Sequence, residues 1–117
     1  MTGATGQNAN NGVRALAAQR CRPAAPQLAA DALRDRLACL PGWTHAGNRI
    51  EKLFRFADYH RTIAFVNAVA AVAHAEDHHP DLAVRYDRCT VAWSTHSAGG
   101  VTLNDCICAA KVEALAA

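Results

Sequence analysis

The sequence has no long apolar run and no cluster of like charge among its 117 residues. No stretch approaches the roughly 20 apolar residues that a transmembrane helix needs, so a membrane span is not expected. Twelve basic and ten acidic residues leave a net charge of +2, and no Lys/Arg run occurs. A nucleic-acid-binding surface is not expected either, because such a surface needs clustered positive charge.

Two catalytic motifs are also missing. The motif Gly-x-Ser-x-Gly, which surrounds the nucleophilic serine of many hydrolases, does not occur. Gly99-Gly100 lacks the further glycine and the lysine of a phosphate-binding loop. These absences argue against covalent acyl transfer and against nucleotide hydrolysis.

The cysteines do not form a recognisable metal or disulfide pattern. Their number is odd and no Cys-x-x-Cys spacing occurs; they are Cys21, Cys39, Cys89, Cys106 and Cys108. Cys106 and Cys108 stand too close together for the usual pair of zinc ligands. We interpret all the cysteines as reduced, small apolar side chains of a cytoplasmic protein, with a structural zinc site as the less favoured alternative.

The length fits one domain, preceded by a polar N-terminal segment. Residues 1–25 contain Val13 and Leu16 as their only large aliphatic side chains, which predicts a flexible N-terminal arm. An organellar transit peptide is the alternative, since this segment has arginines and no acidic residue. Residues 26–117 are expected to form the folded domain.

Hydrophobic periodicity predicts a helix, two strands, a long helix, two strands and a final helix. The expected helices cover residues 26–40, 59–77 and 103–117, and the expected strands cover 42–45, 49–56, 82–86 and 89–96. Asp58 is a candidate N-cap, and Thr102 with Asp105 resembles a capping box. Because tight turns pair strands antiparallel, we expect an α+β fold of two layers, a four-stranded antiparallel sheet with three helices packed on one face.

The histidines indicate proton-transfer chemistry. His78 and His79 are adjacent, flanked by carboxylates and followed by Pro80, while His96 ends a predicted strand before a glycine loop. Two neighbouring imidazoles cannot both be protonated without electrostatic cost, so one neutral and one charged ring could act as base and acid. A surface His-His pair that interacts favourably with a helix C-terminus is the alternative that this spacing leaves open.

A metal site is less favoured. His74 and His78 are four residues apart, a spacing used by metal ligands on a helix. However, Ala75 stands where zinc proteases carry glutamate, and a third ligand at a recognisable spacing is not evident. His45 and His60 are interpreted as solvated or packed side chains.

The residues that could carry chemistry form one ordered pattern along the chain. The pattern is His74-x-x-x-His78-His79-Pro80, Tyr86, Ser94-Thr95-His96 and Gly99-Gly100-x-Thr102-x-x-Asp105, preceded by Gly42-Trp43 and Ile50-x-x-x-Phe54-x-Phe56. It resembles the signature of the pterin-4a-carbinolamine dehydratase family over residues 26–117. One departure is His74, where such proteins often carry glutamate or another charged residue.

The resemblance implies a metal-free and cofactor-free dehydratase that converts 4a-hydroxy-tetrahydropterin to quinonoid dihydropterin. It implies that His78, His79 and His96 line the pterin site. His79 and His96 would transfer protons and His78 would hold the pterin. Asp105 would orient a histidine or support the loop, with helix capping as its alternative role. Thr95 and Trp43 are further supporting candidates, although core packing explains Trp43 equally well.

The resemblance also implies partners and an alternative function. The substrate would be a pterin recycled for an aromatic amino acid hydroxylase, and the protein would form a homodimer or homotetramer. The alternative is a non-catalytic binding or regulatory protein on the same fold, similar to a transcriptional coactivator. A small zinc protein built on His74, His78 and the Cys106/Cys108 pair is the third hypothesis.

Overall fold

The structure, a computed structural model, describes residues 11–116, which form four helices and one four-stranded sheet. The elements are α1 (residues 11–17), α2 (Ala30–Leu37), β1 (Thr44–Ala46), β2 (Arg49–Arg55), α3 (Tyr59–Glu76), β3 (Asp81–Arg85), β4 (Arg88–Trp93), a short 3-10 helix (His96–Ala98) and α4 (Leu103–Ala116). The strand order is β1-β2-β4-β3 and every pair is antiparallel. The predicted α+β class is confirmed, with four helices where three were expected.

One face of the sheet is buried against the helices. In β2, Ile50 and Phe54 are buried whereas Arg49 and Arg55 are exposed. In the central strand β4 the side chains that share the parity of Trp93 are fully buried; they are Cys89, Val91 and Trp93 itself. These positions agree with the strand periodicity of the sequence.

Lys52 is a charged residue at a half-buried position of β2. It has the parity of the buried residues, and its Nζ donates hydrogen bonds to the Glu113 carboxylate on α4 and to the Pro41 carbonyl. The ammonium group therefore reaches hydrogen-bond acceptors at the edge of the core, and it also lies 5.0 Å from the centroid of the Phe54 ring.

Helix α3 begins and ends with defined caps. The Asp58 side chain accepts a hydrogen bond from the Arg61 backbone N–H at 2.8 Å, as predicted for an N-cap. At the other end Asp77 adopts a left-handed conformation with φ 50°, and the N–H of His78 donates to the Ala73 carbonyl at 3.1 Å. This Schellman-type arrangement ends the helix and fixes the backbone of His78.

Helix α4 is the most buried helix of the described chain. Its consecutive residues from position 105 to 110 are 0% exposed, and they are Asp105, Cys106, Ile107, Cys108, Ala109 and Ala110. The N–H of Thr102 donates to the Asp105 side chain at 2.8 Å, which is one half of the predicted capping box. Among residues 11–116, every helix is too short or too polar to span a lipid bilayer.

Two elements are shorter than predicted because their ends bond to another segment. Helix α2 starts at Ala30 rather than at residue 26, since the N–H of Leu28 donates to the Val101 carbonyl at 2.9 Å. Strand β4 ends at Trp93 rather than His96. Beyond it, the N–H of Thr95 donates to the Gly100 carbonyl at 3.0 Å, and the chain turns into the 3-10 helix.

Residues 11–22 pack against α3 and α4. Leu16 is 5% exposed in the core, and Lys111 Nζ donates to the Ala17 carbonyl at 2.7 Å. Residues 18–22, the N-terminal strap, continue from α1 and make backbone hydrogen bonds to side chains on both helices. The predicted flexibility of the arm falls partly on residues 1–10, which lie outside the described residues.

Leu16→Ala tests whether α1 belongs to the core. We expect it to lower the free energy of unfolding by about 2 to 4 kcal/mol, because it removes buried methyl groups and leaves a cavity. Urea denaturation of wild type and variant measures the difference. Arg14→Ala, at an exposed position of the same helix, should stay within about 0.5 kcal/mol of wild type. Equal stability of both variants would show that α1 contributes nothing to the fold.

Candidate active site

His78 and Asp105 form a hydrogen-bonded pair between the end of α3 and the start of α4. His78 Nε2 lies 2.6 Å from Asp105 Oδ1, with side-chain exposures of 15% and 0%. Because a carboxylate oxygen accepts, Nε2 carries the proton and donates it. The imidazole also stacks on the Trp93 ring, with centroids 5.5 Å apart and planes 17° apart. The ring is thus held both by a hydrogen bond and by an aromatic face.

The second oxygen of Asp105 ties the same carboxylate to the loop after β4. Oδ2 accepts from Thr95 Oγ1 at 2.9 Å and from the Thr102 backbone N–H at 2.8 Å. The two threonine hydroxyls are also 2.8 Å apart. Burying a carboxylate is costly unless its oxygens are hydrogen-bonded, and here both oxygens have partners. Asp105 therefore links three chain segments at one buried point.

This carboxylate brings together the two segments that carry exposed imidazoles. His79 directly follows His78, and His96 directly follows Thr95, so both histidines are neighbours of residues bound to Asp105. His79 and His96 are exposed, at the end of α3 and at the start of the 3-10 helix. The loop of His96 is closed by Gly99, which has φ 77° and whose N–H donates to the His96 carbonyl. Glycine suits this left-handed position because it has no Cβ.

The hydrogen bond to Asp105 raises the pKa of His78 above its ordinary value of 6.5. Partial burial acts in the opposite direction, while the negative charge of Asp105 adds to the increase. His78 is therefore more basic than a free imidazole, and its protonated form is stabilised by the same contact that orients the ring.

The raised pKa predicts how the stability depends on pH. The contribution of the His78 contact is fully present below the unfolded-state pKa of about 6.5 and is lost as the pH rises through the higher folded-state pKa. We expect the stability difference between wild type and His78→Gln to be larger at acidic than at alkaline pH in urea denaturation. An NMR titration of the His78 ring checks the cause. A folded-state pKa below that of a free imidazole would contradict the assignment.

The other candidates lie outside this cluster. Trp43 is 5% exposed, packs edge-on against Phe54 with centroids 6.0 Å apart, and donates from Nε1 to Glu113 at 2.9 Å. Trp43 therefore belongs to the core, and its hydrogen bond goes to the C-terminal half of α4. Three further histidines, His45, His60 and His74, are exposed. In residues 11–116, no group of three or more His, Cys, Asp or Glu side chains is arranged to hold a metal ion.

Trp93 is the site residue that the sequence analysis did not single out. Its parity in β4 places it on the helix-facing side, but the stacking on His78 depends on how the end of α3 packs on the sheet. Its indole Nε1 is buried and has no hydrogen-bond partner among the described residues. The sequence feature that could have identified Trp93 was an aromatic residue two positions before Thr95 on a buried strand.

The fold and the cluster define a class of two-layer α+β domains with a His-His pair at a helix end and a third histidine after the central strand. The chain belongs to the family described as "Pterin 4 alpha carbinolamine dehydratase", which matches residues 26–115. The resemblance found in the sequence is thereby confirmed. The match leaves out α1 and the strap.

Individual relatives agree with the family. A protein of Chromobacterium violaceum named "Putative pterin-4-alpha-carbinolamine dehydratase" is 56% identical over 88 residues, which cover 75% of this chain and 82% of the relative. The crystal structure of a "transcriptional coactivator/pterin dehydratase from Brucella Melitensis" superposes with a TM-score of 0.75 at 32% identity, covering 78% of this chain and 99% of that one. A "pterin dehydratase-like protein" described as a RuBisCO assembly factor gives a TM-score of 0.53 at 25% identity, covering 63% and 86%.

Proposed function

We propose that this protein dehydrates 4a-hydroxy-tetrahydropterin to quinonoid dihydropterin. The C4a–O bond breaks, the hydroxyl leaves with a proton as water, and N5 loses its proton as the double bond to C4a forms. The observation that carries the proposal is the family's His78-His79 and His96 pattern, with both segments bound to Asp105. The name of the Chromobacterium violaceum relative supports the substrate class.

The environments of the three histidines support a division of roles. His78 is hydrogen-bonded to Asp105 and stacked on Trp93, so its ring is fixed and suited to holding the pterin in one orientation. His79 and His96 are exposed and can exchange protons with a bound substrate and with solvent. We assign His79 and His96 to proton transfer, one protonating the leaving hydroxyl and the other accepting the N5 proton. This mechanism uses no metal and no organic cofactor.

The proposal also includes a metabolic role, an oligomeric state and a cellular compartment. The protein would recycle the oxidised pterin of an aromatic amino acid hydroxylase, and it would act as a homodimer or homotetramer. All five cysteines are free. Free thiols support a reducing compartment such as the cytoplasm.

A binding or regulatory function is the second candidate. It is favoured by the name of the Brucella structure, which couples a transcriptional coactivator with a pterin dehydratase. A non-catalytic protein would bind its partner without accelerating the dehydration. The two candidates are therefore separated by turnover and not by binding.

The test is the dehydration of freshly generated 4a-hydroxy-tetrahydropterin after stopped mixing, with the spontaneous rate subtracted. We expect the folded protein to accelerate the reaction, and we expect the same rate after treatment with a zinc chelator. An accelerated rate that is abolished by the chelator and restored by zinc would overturn the metal-free mechanism. No acceleration would favour the binding function.

A further inference from the structure

The strap and α4 bring two thiols together outside the cluster of histidines. Cys21 Sγ and Cys108 Sγ are 3.5 Å apart although the residues are separated by 87 positions. Cys21 is half-buried in the strap, and Cys108 is 0% exposed in α4. Neither thiol has a role in the function proposed above.

The backbone on both sides of Cys21 is held in place. Its own N–H donates to Glu76 Oε1 at 2.7 Å, and Arg20 Nε binds the other oxygen of Glu76 at 2.7 Å. On the following residue, the Arg22 N–H donates to Asn104 Oδ1 at 2.9 Å, and Asn104 Nδ2 donates to the Arg22 carbonyl at 2.7 Å. These four contacts keep the Cys21 thiol opposite Cys108, which lies one turn after Asn104.

We propose that Cys21 and Cys108 form a redox-active dithiol site that a hydroperoxide converts reversibly into a disulfide. The two sulfurs must approach from 3.5 Å to about 2.05 Å. Cys21 lies in neither a helix nor a strand, so its side chain can supply this movement while the four contacts hold the backbone and α4 stays in place. The inference is independent of the proposed dehydratase activity.

The two thiols are suited to different steps. The hydrogen bond from Cys108 lowers the pKa of Cys21, assisted by the charge of His78 and opposed by burial and by Glu76. The same contact and burial raise the pKa of Cys108. Since the thiolate is the reactive form, Cys21 reacts first and Cys108 second.

The reaction balances with the hydroperoxide as the oxidant. The Cys21 thiolate attacks one peroxide oxygen, the O–O bond breaks, and Cys21 becomes a sulfenic acid as hydroxide leaves and takes up a proton. The Cys108 sulfur then attacks the Cys21 sulfur, the S–O bond breaks, and the hydroxyl leaves with the thiol proton as water. With hydrogen peroxide, two thiols and one peroxide give one disulfide and two waters. A dithiol reductant reverses the change.

The disulfide would fasten the strap to the helix that carries Asp105. Closing so long a loop restricts the unfolded chain, which stabilises the folded state. We expect the oxidised protein to unfold with a Tm higher by on the order of 10 °C. Reduction should return the Tm to its original value.

The experiment titrates the full chain with hydrogen peroxide and then alkylates it under denaturing conditions. We expect alkylatable thiols to fall from five to three, with the loss of two hydrogen atoms in the intact mass and recovery after reduction. Both changes should disappear in Cys21→Ser and in Cys108→Ala. Cys106→Ala is the matched control, because burial raises the pKa of Cys106 to about 12 and it faces away from Cys108 on α4.

Two results would overturn the proposal. One is a wild-type protein that retains all its thiols at peroxide concentrations that oxidise a free cysteine in solution. The other is a disulfide that still forms in Cys21→Ser, which would place the oxidised pair elsewhere. Because Cys21 is only half-buried, Cys21→Ser decides the question even if Cys108→Ala fails to fold. Cys39→Ser, at another half-buried cysteine, should still form the disulfide.

Discussion

Replacing His79 with alanine is expected to lower the protein-catalysed dehydration by roughly a hundredfold or more. A positioned general acid or base contributes about 10² to 10⁴ to a rate, and this variant removes one of the two proposed proton-transfer groups. His79 is exposed at the end of α3, so the substitution should change the free energy of unfolding by less than about 0.5 kcal/mol. The loss of activity would then reflect the missing proton-transfer group and not unfolding of the protein.

Three further variants sharpen this test. His96→Ala should cause a loss of similar size, because His96 is the other proposed proton-transfer group. His60→Ala is the matched control, since it removes an exposed imidazole at the start of α3, away from the His79 end of that helix, and should keep the wild-type rate. His79→Gln replaces the imidazole with an amide that cannot titrate, and it should be as inactive as the alanine variant. Full activity of folded His79→Ala would remove His79 from the mechanism.

The second large effect is expected from Asp105→Asn. The carboxylate accepts hydrogen bonds from His78, Thr95 and the Thr102 N–H. The amide of asparagine turns one acceptor into a donor, which faces either the Thr102 N–H, as a donor–donor contact, or His78, whose Nε2 must then give up its proton. Breaking a buried, hydrogen-bonded charge pair in this way costs about 3 kcal/mol of stability. The pKa of His78 should fall as well, because the contact that raises it is lost.

Urea denaturation and the NMR titration of His78 measure the two consequences separately. Asp81→Asn is the matched control, since Asp81 is an exposed carboxylate at the start of β3 and should leave both quantities unchanged. The dehydration rate of Asp105→Asn should also fall, because Asp105 holds the segments of His79 and His96 together. Unchanged stability together with an unchanged His78 pKa would show that Asp105 only caps α4.

The spacing predicted the capping role of Asp105, and the family resemblance implied that Asp105 orients a histidine or supports the loop, but neither identified His78 as its partner. Thr102 and Asp105 are three residues apart, and helix geometry alone brings the Asp105 side chain to the Thr102 N–H. His78 lies 27 positions away, so its contact depends on how the end of α3 packs on α4. The sequence therefore predicted the candidate residues of the site and not the hydrogen bonds that connect them.

The N-terminal segment shows a second limit of sequence reasoning. Its composition predicts an arm, because Val13 and Leu16 supply little apolar surface. The structure anchors residues 20–22 chiefly by hydrogen bonds to Glu76 and Asn104. Such polar contacts between distant residues produce no periodic pattern in the sequence. The sheet and α3, in contrast, follow the hydrophobic periodicity closely.

A catalyst for pterin dehydration must convert many substrate molecules per protein molecule, and multiple turnover is the direct test of the proposed function. Wild-type protein is mixed at a concentration well below that of 4a-hydroxy-tetrahydropterin, and quinonoid dihydropterin is followed over time. We expect a rate that exceeds the spontaneous reaction and rises in proportion to the protein concentration. A rate equal to the spontaneous reaction at every concentration of folded protein would contradict it.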